Sequence, residues 1–316
     1  MERARSGVST IRFSPTYLSP ADKRYNAYKY PQVLNDSVIL AVRSNFKDLT
    51  ALVMIKKGQE KQLTYLGNIN SRIILNNNRV YWTEYVSGLR WTHQNYSVLK
   101  YYDLNTKQIS TVTPRKRYLA PTISSDGALA AVSQVSVSGK NDIILVNTKT
   151  GEEHSRHALP GNAFAKELTY TDNNHIIATA IDDSGIRLLQ LNTQSGEWSE
   201  LLKATPANIT STTWADGKLF FESGLNGTNN IYEYNPATAT YNRLTTARFG
   251  AFTPSISTDG KELLFSDFQT NGYHLASVPT NSLTKESADF NKPHQFELAE
   301  TLTKQEQFNM DTATIQ

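Results

Sequence analysis

A tight turn flanked by strand-forming residues recurs at near-equal intervals along the chain. Its sites are Asn35-Asp36, Asn77-Asn78, Asp126-Gly127, Asn173-Asn174, Asp216-Gly217 and Asp259-Gly260, spaced 42 to 49 residues apart. Asn, Asp and Gly tolerate the positive φ that two-residue hairpin turns require. A second turn recurs out of phase with the first, in "DLNTKQIS" (103–110), "LVNTKTGEE" (145–153), "QLNTQSGEW" (190–198) and "EYNPATATY" (233–241). Shortened versions stand in "IKKGQEK" (55–61) and "SVPTNSL" (277–283). Two hairpins per period imply four strands per period. The segments between turns, such as "ALAAVSQ" and "DIILVN", are apolar and β-branched and carry no helical periodicity.

Four-stranded units at this period predict an all-β fold, a six-bladed β-propeller of antiparallel blades. The expected blades are residues 30–66, 68–114, 118–158, 164–203, 208–247 and 251–283. After "HLASVPT" (274–280) the last repeat lacks a fourth strand, which would leave an open edge. The N-terminal "VSTIRFSP" (8–15) resembles the outer strand "ISTVTP" (109–114), so residues 8–13 are expected to complete the last blade. The propeller then takes up residues 1–283. Residues 284–316 are polar, lack the repeat, and are expected as a linker or extension cut from a longer exported protein.

Composition removes several function classes. The chain of 316 residues has a net charge of only +3 and no basic stripe, which argues against nucleic acid as a partner. It has no cysteine, which excludes disulfides, thiolate catalysis and cysteine-ligated zinc. No run approaches the ~18 apolar residues of a membrane span.

The motifs of catalysis are absent as well. There is no G-x-S-x-G, H-E-x-x-H, P-loop or D-x-D-x-D-G calcium loop. His154 and His157 are three apart, on opposite faces of a strand, and His93, His175, His274 and His294 have no ligand partner at a useful spacing. Asp182-Asp183 in "IDDSGIR" is expected for turn reasons. The inner strands offer Glu167 among their acids and no histidine. No catalytic residue, cofactor or metal is expected.

The units "P-x-x-S-x-D-G-x-x-L-x-F" and "Y-x-x-N-x-x-x-x-x-x-x-L-T" fit best in "TPSISTDGKELLFSD" (253–267) and "NNIYEYNPATATYNRLTTA" (229–247). They resemble TolB-type, WD-repeat-like propeller blades, over about residues 8–283. The resemblance implies a non-enzymatic protein- or peptide-binding module of the bacterial cell envelope, periplasmic or otherwise extracytoplasmic. Its alternative is the gating propeller of a prolyl-oligopeptidase-like serine hydrolase whose catalytic domain lies outside this chain. The expected partner is a protein or peptide and the expected state a monomer.

In a propeller, the loops between second and third strands share a face with the connections between blades. On that face the longest hairpin loop, "EYVSGLRWTHQNYS" (84–97), carries Tyr85, Arg90, Trp91, His93 and Tyr96. The connections add Arg117, Tyr118, Arg248 and Phe249, and the last blade adds Phe268 and Tyr273. Trp, Tyr and Arg dominate binding hot spots because they bury large area with a polar handle. The competing reading of the connection aromatics is that they wedge between blades.

Overall fold

The computed structural model describes residues 14–88, 95–291 and 297–306. Consecutive strands pair antiparallel with their sequence neighbours, as short polar turns dictate. One run is Tyr118–Ile123, Leu129–Val135, Asn141–Asn147 and Glu153–Ala158. The next is Phe164–Tyr170, His175–Asp182, Gly185–Asn192 and Trp198–Thr205. A third comprises Thr210–Ala215, Lys218–Ser223, Asn230–Asn235 and Thr240–Arg243. Another has a broken inner edge, Asn68–Ile69 and Ile74–Asn76, before Arg79–Ser87, Asn95–Asp103 and Gln108–Thr111.

The eight-stranded sheet joins two such runs. One is Asn26–Asn35, Val38–Asn45, Ala51–Lys56 and Gln59–Tyr65. The other is Ala251–Ile256, Glu262–Gln269 and Gly272–Pro279. Their joint is a parallel pairing of two residues, Asn26 with Gly272 and Ala27 with Tyr273. Beside Gly272–Pro279, Thr16–Tyr17 pairs antiparallel with Ser277 and Ala276, and Leu18 N–H donates to Leu275 O at 2.8 Å. Residues 8–13, expected as that fourth strand, lie outside the described residues. Tyr17 Oη donates to Asp267 Oδ2 at 2.7 Å, which fastens the N-terminal segment to the second strand of the last run.

The apolar residues of each run face the neighbouring runs, so the core is divided. Trp82 and Val80 pack on Leu40 and Leu52. Tyr81 and Leu99 pack on Val132 and Ile144, and Ala131 and Ile143 on Leu168 and Tyr170. Ile177 and Leu188 meet Leu219 and Phe221, and Phe220 and Ile231 meet Leu263 and Phe265. Leu275 meets Ala41 and Val53, which brings the last run against the first.

A circle of hydrogen bonds runs inside these clusters. Leu75 N–H donates to Gln32 Oε1, Asn76 Nδ2 to Ser124 O, and Tyr170 N–H to Thr122 Oγ1, at 3.0–3.1 Å. Ser211 N–H donates to Glu167 Oε1 at 2.8 Å, Thr253 N–H to Glu222 Oε2 at 2.6 Å, and Tyr30 N–H to Thr253 Oγ1 at 3.2 Å. Inner strands need such partners because bulges turn their backbone out of the ladder. Tyr30, Ala120, Ser211 and Thr253 all have φ near +50° at register shifts of the inner strands. Each such residue costs about 1–3 kcal/mol, offset by the bonds it frees.

Part of the stretch expected as linker or extension is packed. Glu286–Ala288 adds a fifth strand beside Thr240–Arg243. Phe290 is 0% exposed, among the rings of Phe221, Tyr232 and Tyr241 at 5.2–5.4 Å. Thr205 Oγ1 donates to its carbonyl at 2.6 Å. A helix follows at Glu297–Glu306. Among the described residues no helix is long and apolar enough to cross a membrane.

Turn chemistry sets the acid response of the fold. The Asp103 carboxyl is held below its ordinary range by the Thr106 N–H and by Arg79, and that of Asp126 by the Ser124 hydroxyl and the Ala128 N–H. Ser257 and Lys261 lower Asp259 to about 2. These depressed values give stability that is complete above the unfolded carboxylate pKa of ~3.9 and lost as pH falls through the folded values. The thermal midpoint should therefore drop between pH 5 and pH 2.5. The triple Asp103→Asn, Asp126→Asn, Asp259→Asn variant should show a shallower drop; an identical slope would refute this role for the turns.

Candidate binding face and channel mouth

Strand direction separates two faces. The first and third strands of each run leave the face that carries the second-to-third loops and the connections between runs. The opposite face carries the tight turns. Among the described residues, most of the large apolar side chains that remain exposed lie towards the first face. Phe46 is 90% exposed and Leu49 70%, in the loop between Val38–Asn45 and Ala51–Lys56. Val137, 94% exposed, and Ile181 lie at the corresponding sites of later runs. The opposite face is built from Asn, Asp, Thr, Lys and Gly, which turn geometry and solvation explain.

Where the runs at the two ends of the chain meet, aromatic rings gather. Phe46 stacks on Tyr25 at 4.8 Å. Tyr273 lies 4.7 Å from Phe268 and 5.3 Å from Phe252, with Lys29 Nζ 4.5 Å above its ring. Burial, then the neighbouring Tyr25 and Glu222, push the Tyr273 phenol above its ordinary range.

The inner strands line a partly open funnel of about 270 Å³. Tyr30, Arg72, Tyr85, Phe164, Lys166 and Glu167 are among its walls. Arg72 spans it: Nη2 donates to Leu168 O at 2.8 Å and Thr169 Oγ1 at 3.1 Å, on an inner strand two runs further round. Burial pulls the guanidinium down from its usual range, and Glu167 and Tyr30 oppose that shift. Glu167 is committed to backbone, accepting from Ser211 N–H and, at 2.9 Å, from Thr212 N–H. Burial pushes the Glu222 carboxyl up, against the Thr253 N–H and Thr210 hydroxyl that hold it down. Among the described residues, no three His, Asp or Glu side chains converge as metal ligands would.

The expected site residues divide between places. Phe268 and Tyr273 come together, and Arg248 lies over the ring of Phe249, 4.9 Å from its centre, with both exposed. Tyr85 is on the funnel wall. Tyr96 is half-buried and Arg117 exposed. Arg90, Trp91 and His93 lie outside the described residues. Tyr118 is a correction: at 2% exposure it packs with Tyr81, Val112 and Ile144 and has no free surface to offer. It takes the wedge role because its ring follows a connection directly into the core between two runs. Sequence reasoning missed Arg72, Glu222 and the Tyr25–Phe46 stack. A lone Arg in "INSRIIL", an apolar inner edge, was the available signal for the first.

No family model and no curated protein matches the sequence. Solved structures do match. The β-propeller domain of the Trilobed protease from Pyrococcus furiosus aligns with a TM-score of 0.56 at 9% identity, covering 85% of this chain and 100% of that one. The fold is a β-propeller. A putative TolB from Agrobacterium tumefaciens aligns with this propeller at a TM-score of 0.56 and 15% identity, over 72% of this chain and 83% of that one. A puromycin-hydrolyzing peptidase from Mycobacterium tuberculosis gives 0.55 and 12%, over 90% of this propeller, which spans 57% of the peptidase chain. At these identities the likeness carries the TolB-like fold alone.

Proposed function

We propose that the chain is a non-enzymatic, six-bladed propeller module of the bacterial envelope that binds a protein or peptide on its loop-bearing face. Supporting the blade count, six apolar clusters among the described residues each lie between consecutive runs, and the circle of hydrogen bonds returns to Tyr30. Counting the eight-stranded sheet as two blades, its parallel joint is the closure, and Thr16–Tyr17 completes the last blade. An extracytoplasmic location follows from the TolB resemblance. The observation that carries the binding reading is the exposure of Phe46, Leu49 and Val137 on one face beside an open funnel. Apart from the stacking of Phe46 on Tyr25, these exposed side chains pack little against the fold, and burying them against a partner is favourable.

A capture experiment from bacterial envelope extract tests this. The Phe46→Ser, Leu49→Ser variant should lose its partner at least tenfold, as hot-spot residues do. A control on the opposite face, Lys149→Ser with Gln194→Ser, should keep it. Equal retention by both variants would remove the loop face as the binding surface. The similarity to protease propellers supports a second reading, the gate of a hydrolase. In that reading no stable partner is captured, and the funnel admits peptides to a catalytic domain.

A further inference from the structure

Arg72 is half-buried on the funnel wall and, among the described residues, makes no ion pair with a carboxylate, although Glu167 acts on its charge from nearby. Its two short bonds both leave from Nη2, to Leu168 O and Thr169 Oγ1. Nε and Nη1 have no acceptor among the described residues, and no acid stands within ion-pair distance. Neither atom is among the buried polar atoms sealed without a partner, unlike Nε of Arg43 and Arg243. Since Arg72 lines the funnel, these two groups face the funnel space. Both two-pronged edges of a guanidinium include Nη2, which is spent on Leu168 and Thr169, so a carboxylate would be met by single charge-assisted bonds from Nη1 or Nε. Arginine stays protonated under burial, so the positive charge persists.

The surroundings fit an acidic ligand. Lys166, on the same wall, adds a second cation while holding Asn208 Oδ1 at 2.8 Å. Glu167 is the acid lining the funnel, and its oxygens are occupied by backbone N–H groups of the next run. Tyr30, Tyr85 and Phe164 give apolar wall beside the charge, whereas the Asn70 and Ser71 side chains are bonded within their own run. A charged floor with aromatic walls suits the last residue of a peptide: one carboxylate and one side chain. A cavity of about 270 Å³ lies just below the ~300–1,000 Å³ usual for small-ligand sites, which suits a single terminal residue.

We propose that the funnel binds the free C-terminal carboxylate of a peptide on the free N–H groups of Arg72. This rests on the protein-binding reading above and names the end of the partner that enters the channel.

The test is selection from two hexapeptide libraries, one with free C-termini and one C-terminally amidated, with a uronic-acid disaccharide as a third probe. Free-carboxylate peptides should be enriched at least tenfold over amides on the unaltered chain. Arg72→Gln should abolish that preference, Arg72→Lys should keep part of it, and Lys166→Gln should weaken it a fewfold. If Arg72→Gln does not fold, the free-versus-amide ratio and Lys166→Gln still decide. Equal enrichment of amides, or preference retained in a folded Arg72→Gln, would overturn the proposal. Uronate binding that depends on Arg72, without peptide enrichment, would overturn the peptide assignment. Capture that depends on Phe46 and Leu49 but shows no carboxylate preference would overturn this proposal and leave the protein-binding reading standing. Absence of any capture or enrichment would overturn both.

Discussion

Replacing Gly272 by Ala should destabilise the protein by roughly 3 kcal/mol or more, in the upper range for single substitutions. Gly272 has φ +129°, a region that residues with a Cβ rarely enter. A Cβ there would stand 1.9 Å from Asn26 O and 2.8 Å from Asn26 C, both backbone atoms that no rotamer change can move. The contact explains why Gly is required. Gly185 holds the equivalent position at the start of a third strand, with φ +126°, and its missing Cβ faces Thr205 O, where the fourth strand of its own run ends. In the last run that place is taken by Asn26, from the other end of the chain. Backbone at Asn26 thus passes directly over Gly272, and an added methyl must push the two runs apart. Gly217→Ala separates this effect from simple strain. Gly217 has φ +73° with nothing within 4 Å of its Cβ position, so its cost should be about 1–2 kcal/mol. Equilibrium urea unfolding of both variants gives the comparison. Equal losses would mean that the Asn26–Gly272 joint contributes nothing to stability.

Phe290→Ala should cost about 3–5 kcal/mol, the usual range for deleting a buried aromatic side chain. Four rings meet at this point, and three of them, Phe221, Tyr232 and Tyr241, belong to one run. Without Phe290 their faces would border a cavity or water, and the Thr205 hydroxyl would lose its acceptor if the segment withdrew. Two ion pairs hold the same segment, Arg243 with Glu286 and Lys285 with Glu233, the latter at 2.6 Å. They are partly exposed, and such pairs contribute about 0–1 kcal/mol each. Removing Lys285 should therefore change the urea midpoint far less than removing Phe290. A Phe290→Ala midpoint within error of the parent would show that the segment is not docked in solution.

The repeat was legible because turn chemistry is local. Asn77-Asn78 and Asp216-Gly217 have positive φ at both positions, Asp126-Gly127 and Asp259-Gly260 at the glycine alone, and Asn35-Asp36 and Asn173-Asn174 at neither, so the residue types mark the turn sites without fixing one turn type. Nothing comparable marks Phe290, since its burial depends on a groove between distant strands and its neighbours in sequence are polar. The inner-strand bulges were hidden for the same reason. Tyr30, Ala120 and Thr253 are poor candidates for positive φ on local grounds, and the bonds that hold Tyr30 and Thr253 there come from the adjacent run. Candidate site residues were partly legible. Phe268 and Tyr273 do meet, because they flank one hairpin. Tyr118 was misplaced because an aromatic in a connection can face out or wedge inwards, and residue type alone does not separate the two. Arg72 was missed because its significance lies across the channel, 96 positions away in sequence.

Binding through the loop-bearing face is tested most directly by hydrogen exchange on the protein with its captured partner. Protection is expected in the loops at 46–50, 136–140, 224–229 and 270–271, with the turns at 104–107, 148–151 and 193–196 unchanged. Protection confined to those turns, or to the outer strands, would contradict it.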